Sequence, residues 1–362
     1  MKAYIVEREA LVHNIQALKA QAGDVPIWAV LKGNGYGLGL LPFSRVLWEN
    51  GVRHFAVTEL WEAAALRESW PEADILMMRS VSDPKEIGTL LDNRVILTVG
   101  CYETAVAVNG AAAQRGVRAE VHLAVDTGMG RYGFLPQDAD KIAAVYEYMR
   151  NLHVGGFFTH FHSAFSSEKA TRQQFEQFRA LLEQLRAAGY DTGMAHCCNS
   201  HAFLRWPEMR LDAVRVGSAF LGRLAIRDKL GLRRIGWAEC AVEELRTVPK
   251  GQTFGYAAAA KARRELRVAV IGIGWYNGFA VSRENDTYRF KDSISGILHH
   301  LKNLLLPPKL TVTLKGRKCR VLGHVGMVHA VVDVTGLDCA VGDTVIAQIN
   351  PLHLKGLEVQ YR

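Results

Sequence analysis

The sequence predicts an α/β protein in which a (β/α)8 barrel is followed by a second, mostly β domain. Three observations predict it: the chain has 362 residues, short apolar runs alternate with helix-period stretches over its first two thirds, and the alternation stops near residue 235. Short strands that are apolar on both faces are typical of parallel sheets covered by helices. About eight strand–helix units at this length favour a closed barrel.

Eight short apolar runs are the predicted barrel strands, and a second set of strands follows residue 235. The first set comprises residues 27–31, 55–57, 75–78, 95–99, 120–125, 155–159, 194–196 and 213–216. The second set comprises residues 266–273, 309–314, 320–322, 327–334 and 344–349, with one helix at 294–306. We therefore expect a barrel over residues 1–232 and a β-rich domain over 233–362, with the first few residues free to pair with the second domain.

Composition and charge restrict the classes of function. The 44 Lys and Arg residues outnumber the 36 Asp and Glu residues, but they are spread along the chain and no nucleic-acid motif accompanies them. The net charge of +8 also suits an anionic small molecule or a phosphorylated cofactor. No apolar run reaches the length of a transmembrane helix. We expect no nucleic-acid partner and no membrane partner.

The cysteines and the N-terminus indicate the compartment. The six cysteines include no CxxC pair and no zinc-ligand spacing. The N-terminus lacks the apolar core of a secretory leader. Reduced thiols, no bound metal and a cytoplasmic location are therefore predicted.

Lys32 is the first candidate for chemistry, because reactive side chains in such barrels lie at the carboxyl ends of the strands. It ends the first predicted strand and precedes the glycine-rich stretch GNGYG. Burial at a strand end lowers the pKa of an amine, which suits Schiff-base chemistry. A solvated strand-end lysine is the alternative, and the residues alone leave both open.

Two further strand ends carry candidate side chains. Arg131 lies among the glycines of DTGMGRYG, residues 126–133, where its guanidinium can bind a carboxylate; an ordinary surface arginine is the alternative. His160 follows the strand at 155–159. It can stack on a planar ring, act as a base or lie satisfied in the core, which is commoner for a lone histidine.

The last two strands carry a candidate phosphate site. Asn199 and Ser200 follow one strand, and Gly217 follows the other. Barrels often bind phosphate after their seventh and eighth strands. Arg215 lies within an apolar strand and therefore requires an acceptor, such as a ring nitrogen or a carboxylate.

Together these segments resemble the alanine racemase family of pyridoxal-phosphate enzymes. The lysine motif, the DTGM-x-R-x-GF stretch, the THF tripeptide, the NS pair and the VR-x-G stretch occur in the family's order and approximate spacing. The resemblance spans nearly the whole chain and weakens after Gly278. It implies a barrel with a C-terminal β domain, a homodimer with shared active sites, and a small amino acid, most simply alanine, as substrate.

The resemblance implies a role for each matching residue at the strand ends. Lys32 would bind the pyridoxal phosphate covalently and act as acid and base on one face of the substrate. Tyr36, Ser200 and Gly217 would bind the phosphate, with Asn199 nearby.

Four other residues would contact the cofactor ring or the substrate. His160 would lie against the ring, Arg131 would orient the substrate carboxylate, and Met327 matches a methionine of the family's substrate loop. Arg215 would donate a hydrogen bond to the pyridine nitrogen. Because arginine has no acceptor, that nitrogen stays unprotonated. A neutral pyridine withdraws electrons less than a pyridinium, which suppresses transamination and elimination and favours return of the proton.

The second acid–base group is the main departure from the family. The family has a tyrosine in a GY-x-DG motif supplied by the partner subunit, whereas this chain has Gly274-Trp275-Tyr276-Asn277-Gly278. Counting without a gap from Tyr256 puts Trp275 at the catalytic position, and an indole N–H is not a base near neutral pH. Tyr276 serves if the loop shifts by one residue, and it is the predicted catalytic residue.

Two smaller departures from the family remain. Ala124 replaces a lysine that supports the family's arginine, and the stretch 280–306 is longer than usual.

Three functions stay open. An amino-acid racemase, most simply of alanine, is the principal prediction. A related decarboxylase or a racemase of altered specificity is the second, although Arg215 disfavours decarboxylation. A catalytically silent cofactor-binding or regulatory protein is the third, and the altered GWYNG segment favours it.

Overall fold

The computed structural model describes residues 2–282, 290–306 and 309–362. They form two compact units, one of Arg8–Ile235 and the other of Gly236–Arg362 with the N-terminal segment up to Glu7. Residues 283–289 and 307–308 and the side chains of residues 291 and 292 lie outside the described part of the chain. Part of the predicted 280–306 insertion is therefore not described.

The first unit contains eight parallel strands, and they confirm the predicted (β/α)8 barrel. The strands are β2 (Ile27–Val30), β3 (His54–Val57), β4 (Asp74–Ser80), β5 (Ile96–Val99), β6 (Ala119–Ala124), β7 (Leu152–Phe158), β8 (Met194–His196) and β9 (Val214–Val216). The sheet has the order β8-β7-β6-β5-β4-β3-β2-β9, and a parallel bridge between His196 and Ala213 joins its two ends. The carboxyl ends of the strands therefore meet at one rim.

Helices of this unit alternate with the strands, as the sequence predicts. Those of five residues or more are α1 (Arg8–Ala22), α2 (Lys32–Tyr36), α3 (Leu40–Glu49), α4 (Leu60–Ser69), α5 (Pro84–Asp92), α6 (Tyr102–Arg115), α7 (Ala139–Tyr148), α8 (Glu168–Ala187) and α9 (Ser200–Arg205). Their apolar faces are buried against the strands. In α8, for example, the buried side chains recur every three or four residues.

Side chains from many strands fill the inside of the barrel. One buried cluster consists of Trp28, Val30, Ala56, Leu76, Met78, Ile96 and Ala213. The indole N–H of Trp28 donates to Sδ of Met194 at 3.3 Å. Burying one large apolar side chain contributes about 1.5–3 kcal/mol, so this packed interior is a rigid support for the rim.

The second unit is mostly β, also as predicted. Its strands are β1 (Ala3–Val6), β10 (Trp237–Val248), β11 (Thr253–Phe254), β12 (Ala260–Lys261), β13 (Leu266–Ile271), β14 (Thr311–Leu314), β15 (Arg317–Leu322), β16 (Ala330–Asp333), β17 (Thr344–Ala347) and β18 (Glu358–Tyr361). Helix α10 (Phe290–Leu305) lies between β13 and β14 in the chain. The eight longest strands form one sheet in the order β13-β16-β15-β14-β17-β10-β1-β18.

Three strands of this sheet, β1, β10 and β18, were outside the predicted set. Strand β10 is the longest and pairs with β1, β13 and β17, with a register shift between Val242 and Glu244. That irregularity and its pair of adjacent glutamates interrupt the period-2 alternation by which strands are recognised. Strand β1 pairs antiparallel with β10 and parallel with β18, so the first residues of the chain belong to the second unit's sheet. Among the described helices, none has the length and apolar character that crossing a bilayer requires.

Candidate active site

Lys32 begins a single turn whose backbone is left-handed. The φ angles are 67° at Gly33, 56° at Asn34, 63° at Gly35 and 56° at Tyr36. This conformation costs about 1–2 kcal/mol for each residue with a Cβ atom, but nothing comparable for glycine. The glycines of the GNGYG stretch therefore allow the chain to turn sharply at the end of β2, which fixes the position of the lysine.

The buried carboxylate of Glu62, in α4, holds this turn. Its Oε1 accepts a hydrogen bond from the backbone N–H of Asn34 at 2.9 Å, and its Oε2 accepts from Thr58 and Glu59, both at 3.2 Å. The side-chain oxygen of Asn34 accepts from the N–H of Leu40 at 2.8 Å. One carboxylate thus ties the Lys32 turn to the neighbouring strand–helix unit.

The environment of Lys32 favours its neutral amine. Burial lowers its pKa most, and the guanidinium groups of Arg131 and Arg215 lower it further. The carboxylate of Glu62 opposes them. A lysine whose pKa is lowered by burial and by neighbouring cations is suited to Schiff-base formation and to proton transfer near neutral pH.

Arg215, in β9, is buried and makes a dense set of hydrogen bonds. Nη1 donates to Nδ1 of His196 at 2.7 Å and to its carbonyl oxygen at 2.9 Å. Nη2 donates to the carbonyl oxygen of Thr159 at 2.6 Å. Nε is buried without a partner among the described residues. Burial lowers the pKa of Arg215 to about 10, so the group is still a cation at neutral pH.

The histidines around Arg215 are held neutral. His196 hydrogen-bonds His122, with 2.9 Å between Nε2 and Nδ1. Burial, and next the charge of Arg215, lower the pKa of His122 to about 4 and that of His196 well below its ordinary value. The same two causes lower the pKa of His160 to about 3, and its buried Nδ1 atom has no partner among the described residues.

A cluster of hydroxyl and amide groups adjoins the Lys32 turn. Ser200 Oγ accepts from the N–H groups of Gly217 at 3.0 Å and Ala219 at 3.3 Å. A Cβ atom at Gly217 would lie 2.3 Å from the hydroxyl oxygen of Tyr36, so a larger residue there would displace the phenol. Burial raises the pKa of Tyr36 to about 12, which keeps the phenol a hydrogen-bond donor. Asn199 caps α9 by accepting from two of its backbone N–H groups.

Arg131 is positioned through its backbone. Asp126 Oδ2 accepts from the N–H of Arg131 at 3.2 Å, and its Oδ1 accepts from Gly128 at 2.9 Å and Gly130 at 3.1 Å. The guanidinium of Arg131 lies 4.8 Å from the ring centre of Tyr132. The aspartate and the glycines of DTGMGRYG therefore shape the loop, and the aromatic ring supports the arginine.

The GWYNG segment belongs to the second unit. The N–H of Trp275 donates to the carbonyl oxygen of Gly326 at 3.1 Å, and the N–H of Tyr276 donates to that of Met327 at 2.9 Å. The indole of Trp275 is half exposed. Nζ of Lys355 lies 4.9 Å from the ring centre of Tyr276. Trp275, Tyr276 and Met327 are thus neighbours in one loop pair.

Comparison with known proteins identifies the family. The N-terminal domain of alanine racemase matches residues 6–224, and its C-terminal domain matches residues 238–351. The chain belongs to the alanine racemase family. An alanine racemase of Desulforamulus reducens is 34% identical over 337 residues, which are 91% of this chain and 84% of that protein. That of Methanococcus maripaludis is 28% identical over 94% of this chain and 87% of that protein.

Solved structures of the family share the fold. The alanine racemase of Streptomyces lavendulae has a TM-score of 0.84 at 23% identity, covering 100% of this chain and 97% of that one. That of Bartonella henselae, described with covalently bound pyridoxal phosphate, has a TM-score of 0.82 at 22% identity, covering 100% and 99%.

The residues of this chain fit pyridoxal phosphate, the cofactor of the alanine racemase family. Two buried nitrogen atoms, Nε of Arg215 and Nδ1 of His160, have no partner among the described residues, as expected of atoms that face a ligand. Lys32 supplies an amine of lowered pKa. Tyr36 and Ser200 supply hydroxyls beside Gly217. Among the described residues, no three His, Cys, Asp or Glu side chains are grouped as metal ligands.

Most of the sequence-predicted residues come together at the barrel rim. The charges of Arg131 and Arg215 lower the pKa of both Lys32 and His160, so these side chains lie near one another. The remaining three strand-end residues, Asn199, Ser200 and Gly217, lie with Tyr36 at the hydroxyl cluster. Tyr276 and Met327 lie in the second unit.

Sequence reasoning missed three residues of the site. Glu62 showed no signal, because a glutamate in a helix is ordinarily solvated. His196 ended a predicted strand and His122 lay inside one, so a search of the strands for polar residues that face the barrel interior would have found both.

Proposed function

We propose that this protein is a pyridoxal-phosphate-dependent alanine racemase, which interconverts L- and D-alanine. The observation that carries the proposal is the pairing of a low-pKa Lys32 amine with a buried Arg215 that keeps a single donor, Nε, unpaired. The family membership and the names of its relatives support alanine as the substrate.

Bound through Lys32, the cofactor withdraws electrons from the substrate's Cα and so acidifies its proton. Tyr36, Ser200 and the backbone at Gly217 would hold the phosphate, with Asn199 beside them. His160 would pack against the ring, and Nε of Arg215 would donate to the ring nitrogen. Because a guanidinium has no acceptor, that nitrogen would remain unprotonated and electron withdrawal would stay moderate. Moderate withdrawal favours return of the proton over transamination.

Proton transfer at Cα requires one group on each face of the substrate. Lys32 removes and returns the proton on one face, which its lowered pKa supports. Tyr276 is the proposed acid–base group on the other face. Arg131 orients the substrate carboxylate, and Met327 lines the substrate side of the loop.

We further propose that the protein is a cytoplasmic homodimer in which Tyr276 serves the barrel of the other subunit. The motivation is the resemblance to the family, in which the partner subunit supplies the tyrosine of the corresponding GY-x-DG motif. Sedimentation velocity on active protein tests it, and a monomer that keeps full specific activity at high dilution contradicts it.

The proposed reaction is tested by incubating the holoprotein separately with L-alanine, L-serine and other L-amino acids, followed by chiral chromatography. D-alanine should form fastest and reach an equal mixture with L-alanine. Release of the amine that decarboxylation produces, without formation of any D-amino acid, would instead show that the protein is a decarboxylase. No reaction with any amino acid would leave only a cofactor-binding role.

A further inference from the structure

Helix α10 carries a continuous apolar stripe. At 3.6 residues per turn, its large apolar side chains fall within an arc of about 120°. They are Phe290, Ile294, Ile297, Leu298, Leu301, Leu304 and Leu305. Such a stripe normally marks the side of a helix that packs against a protein core.

In this protein the described residues leave the stripe uncovered. Its seven side chains are 42–83% exposed, and Phe290, Leu304 and Leu305 each exceed three quarters. Gly296 and Asn303 are the half-buried residues among the described side chains of the helix, and both lie on the opposite, polar side. The apolar side of the helix is therefore left uncovered, which marks an interaction surface.

Charge indicates what binds there. The unit that contains α10 holds 18 basic and 12 acidic residues, so it carries +6 of the chain's net +8. Lys302 lies beside the stripe, and Lys309 follows the helix. An uncovered apolar stripe on a unit of net positive charge is complementary to a bilayer surface, which has an apolar interior beneath negatively charged headgroups.

A second copy of the chain fits less well. A stable protein interface uses about 20–30 residues a side, whereas the stripe has seven. In a paired-helix register with Ile294 and Leu301 at position a, the g positions are Ser293 and His300 and the e positions are Leu298 and Leu305. These residues lack the opposite charges that specify helix pairing. An interfacial helix needs to enter a bilayer by only about 5–10 Å, which one stripe achieves.

We propose that α10 docks this protein on anionic lipid surfaces, with the helix lying parallel to the membrane plane. The expectation of no membrane partner rested on the lack of a spanning segment, and an interfacial helix does not span. The docking is independent of the racemase reaction, because the stripe residues belong to none of the active-site groups.

The test is co-sedimentation of full-length holoprotein with vesicles of phosphatidylglycerol and phosphatidylcholine, compared with phosphatidylcholine alone. The stripe variant is Leu301→Glu with Leu304→Glu, and the matched control is Ser295→Glu with His299→Glu, which adds the same charge on the polar side. All four positions are exposed. Alanine racemisation in solution should be equal for the three proteins.

Wild type and control should sediment with the anionic vesicles, and the stripe variant should bind about tenfold or more weakly, since two apolar anchors are lost. High salt should weaken the wild-type binding. Equal vesicle binding by the stripe variant overturns the proposal. A second outcome also overturns it: the wild type does not bind vesicles, and sedimentation velocity shows that the stripe variant has lost an oligomeric state of the wild type. The stripe is then an interface between copies of the chain.

Discussion

Arg215 donates from Nη1 to Nδ1 of His196 across 2.7 Å, and this contact fixes the protons of a buried chain. A guanidinium cannot accept, so His196 accepts at Nδ1 and carries its proton on Nε2. That proton is donated to Nδ1 of His122 at 2.9 Å, and His122 therefore carries its own proton on Nε2. These hydrogen bonds all run in one direction, from Arg215 to His196 to His122, and they leave Nε of Arg215 free to bind a ligand.

The first prediction concerns Arg215→Glu. A carboxylate at this position stabilises a protonated ring nitrogen, where the guanidinium disfavours it. Racemisation should slow. More pyruvate should form per turnover, because transamination becomes faster relative to racemisation. Chiral chromatography together with a pyruvate assay measures both products. An unchanged ratio of pyruvate to racemised alanine would show that Arg215 does not contact the ring.

The second prediction concerns stability at low pH. In the folded protein the pKa of His122 is about 4 and that of His160 about 3, and that of His196 is also far below 6.5. The unfolded chain takes up these protons near pH 6.5, whereas the folded protein does not. The free energy of unfolding therefore keeps its full value above that pH and decreases as pH falls towards 4. Each histidine contributes a slope of at most about 1.4 kcal/mol per pH unit.

Urea unfolding of the holoprotein at several pH values measures this slope. His122→Asn, whose amide oxygen still accepts from His196, should make the slope shallower by about one histidine's share. A slope that His122→Asn leaves unchanged between pH 6.5 and 4 would contradict the assignment of a neutral buried His122.

The third prediction concerns Lys32→Ala. Purified wild type should show the visible absorbance of covalently bound pyridoxal phosphate, and the variant should lose it because its attachment amine is gone. Lys141→Ala removes an exposed lysine on α7 and should leave the spectrum unchanged. Borohydride reduction and peptide mapping identify the modified lysine. A reduced adduct on any other lysine of the wild type would refute the assignment.

The fourth prediction concerns Glu62→Gln. The amide NH2 of glutamine would face backbone N–H groups that now donate hydrogen bonds to the carboxylate. Losing a buried acceptor costs about 1–3 kcal/mol. The free energy of unfolding should fall by that amount, and cofactor affinity should weaken because the Lys32 turn loosens. Glu68→Gln, exposed on the same helix, is the control. Equal effects of the two substitutions would show that Glu62 does not hold the Lys32 turn.

The fifth prediction concerns the second base. In Tyr276→Phe, racemisation should fall by 10²–10⁴-fold, or about 3–5 kcal/mol of barrier. Exchange of the Cα proton of one enantiomer should survive, because Lys32 acts alone on its face. Deuterium exchange followed by NMR for each enantiomer separates the two effects. Trp275→Phe is the matched control. Racemisation by Tyr276→Phe at the wild-type rate would eliminate Tyr276.

The barrel and the rim were predictable because their signals are local. Apolar runs give the strands, and Lys32, Arg131 and Arg215 lie at or beside strand ends. Strand β10 was not predictable, since its register shift between Val242 and Glu244 interrupts the alternation. The contact of Glu62 with Asn34 joins two separate strand–helix units. Such a contact depends on three-dimensional closure and leaves no pattern in the sequence.

The central claim is that Lys32 and a group on the opposite face move the Cα proton of alanine. The most direct test is to incubate holoprotein with pure L-alanine in heavy water and to follow Cα deuterium and chirality together. The account predicts that D-alanine appears carrying deuterium at Cα and that both enantiomers are finally labelled. Labelled L-alanine without D-alanine would contradict the two-face mechanism, and the absence of any exchange would contradict the proposed reaction itself.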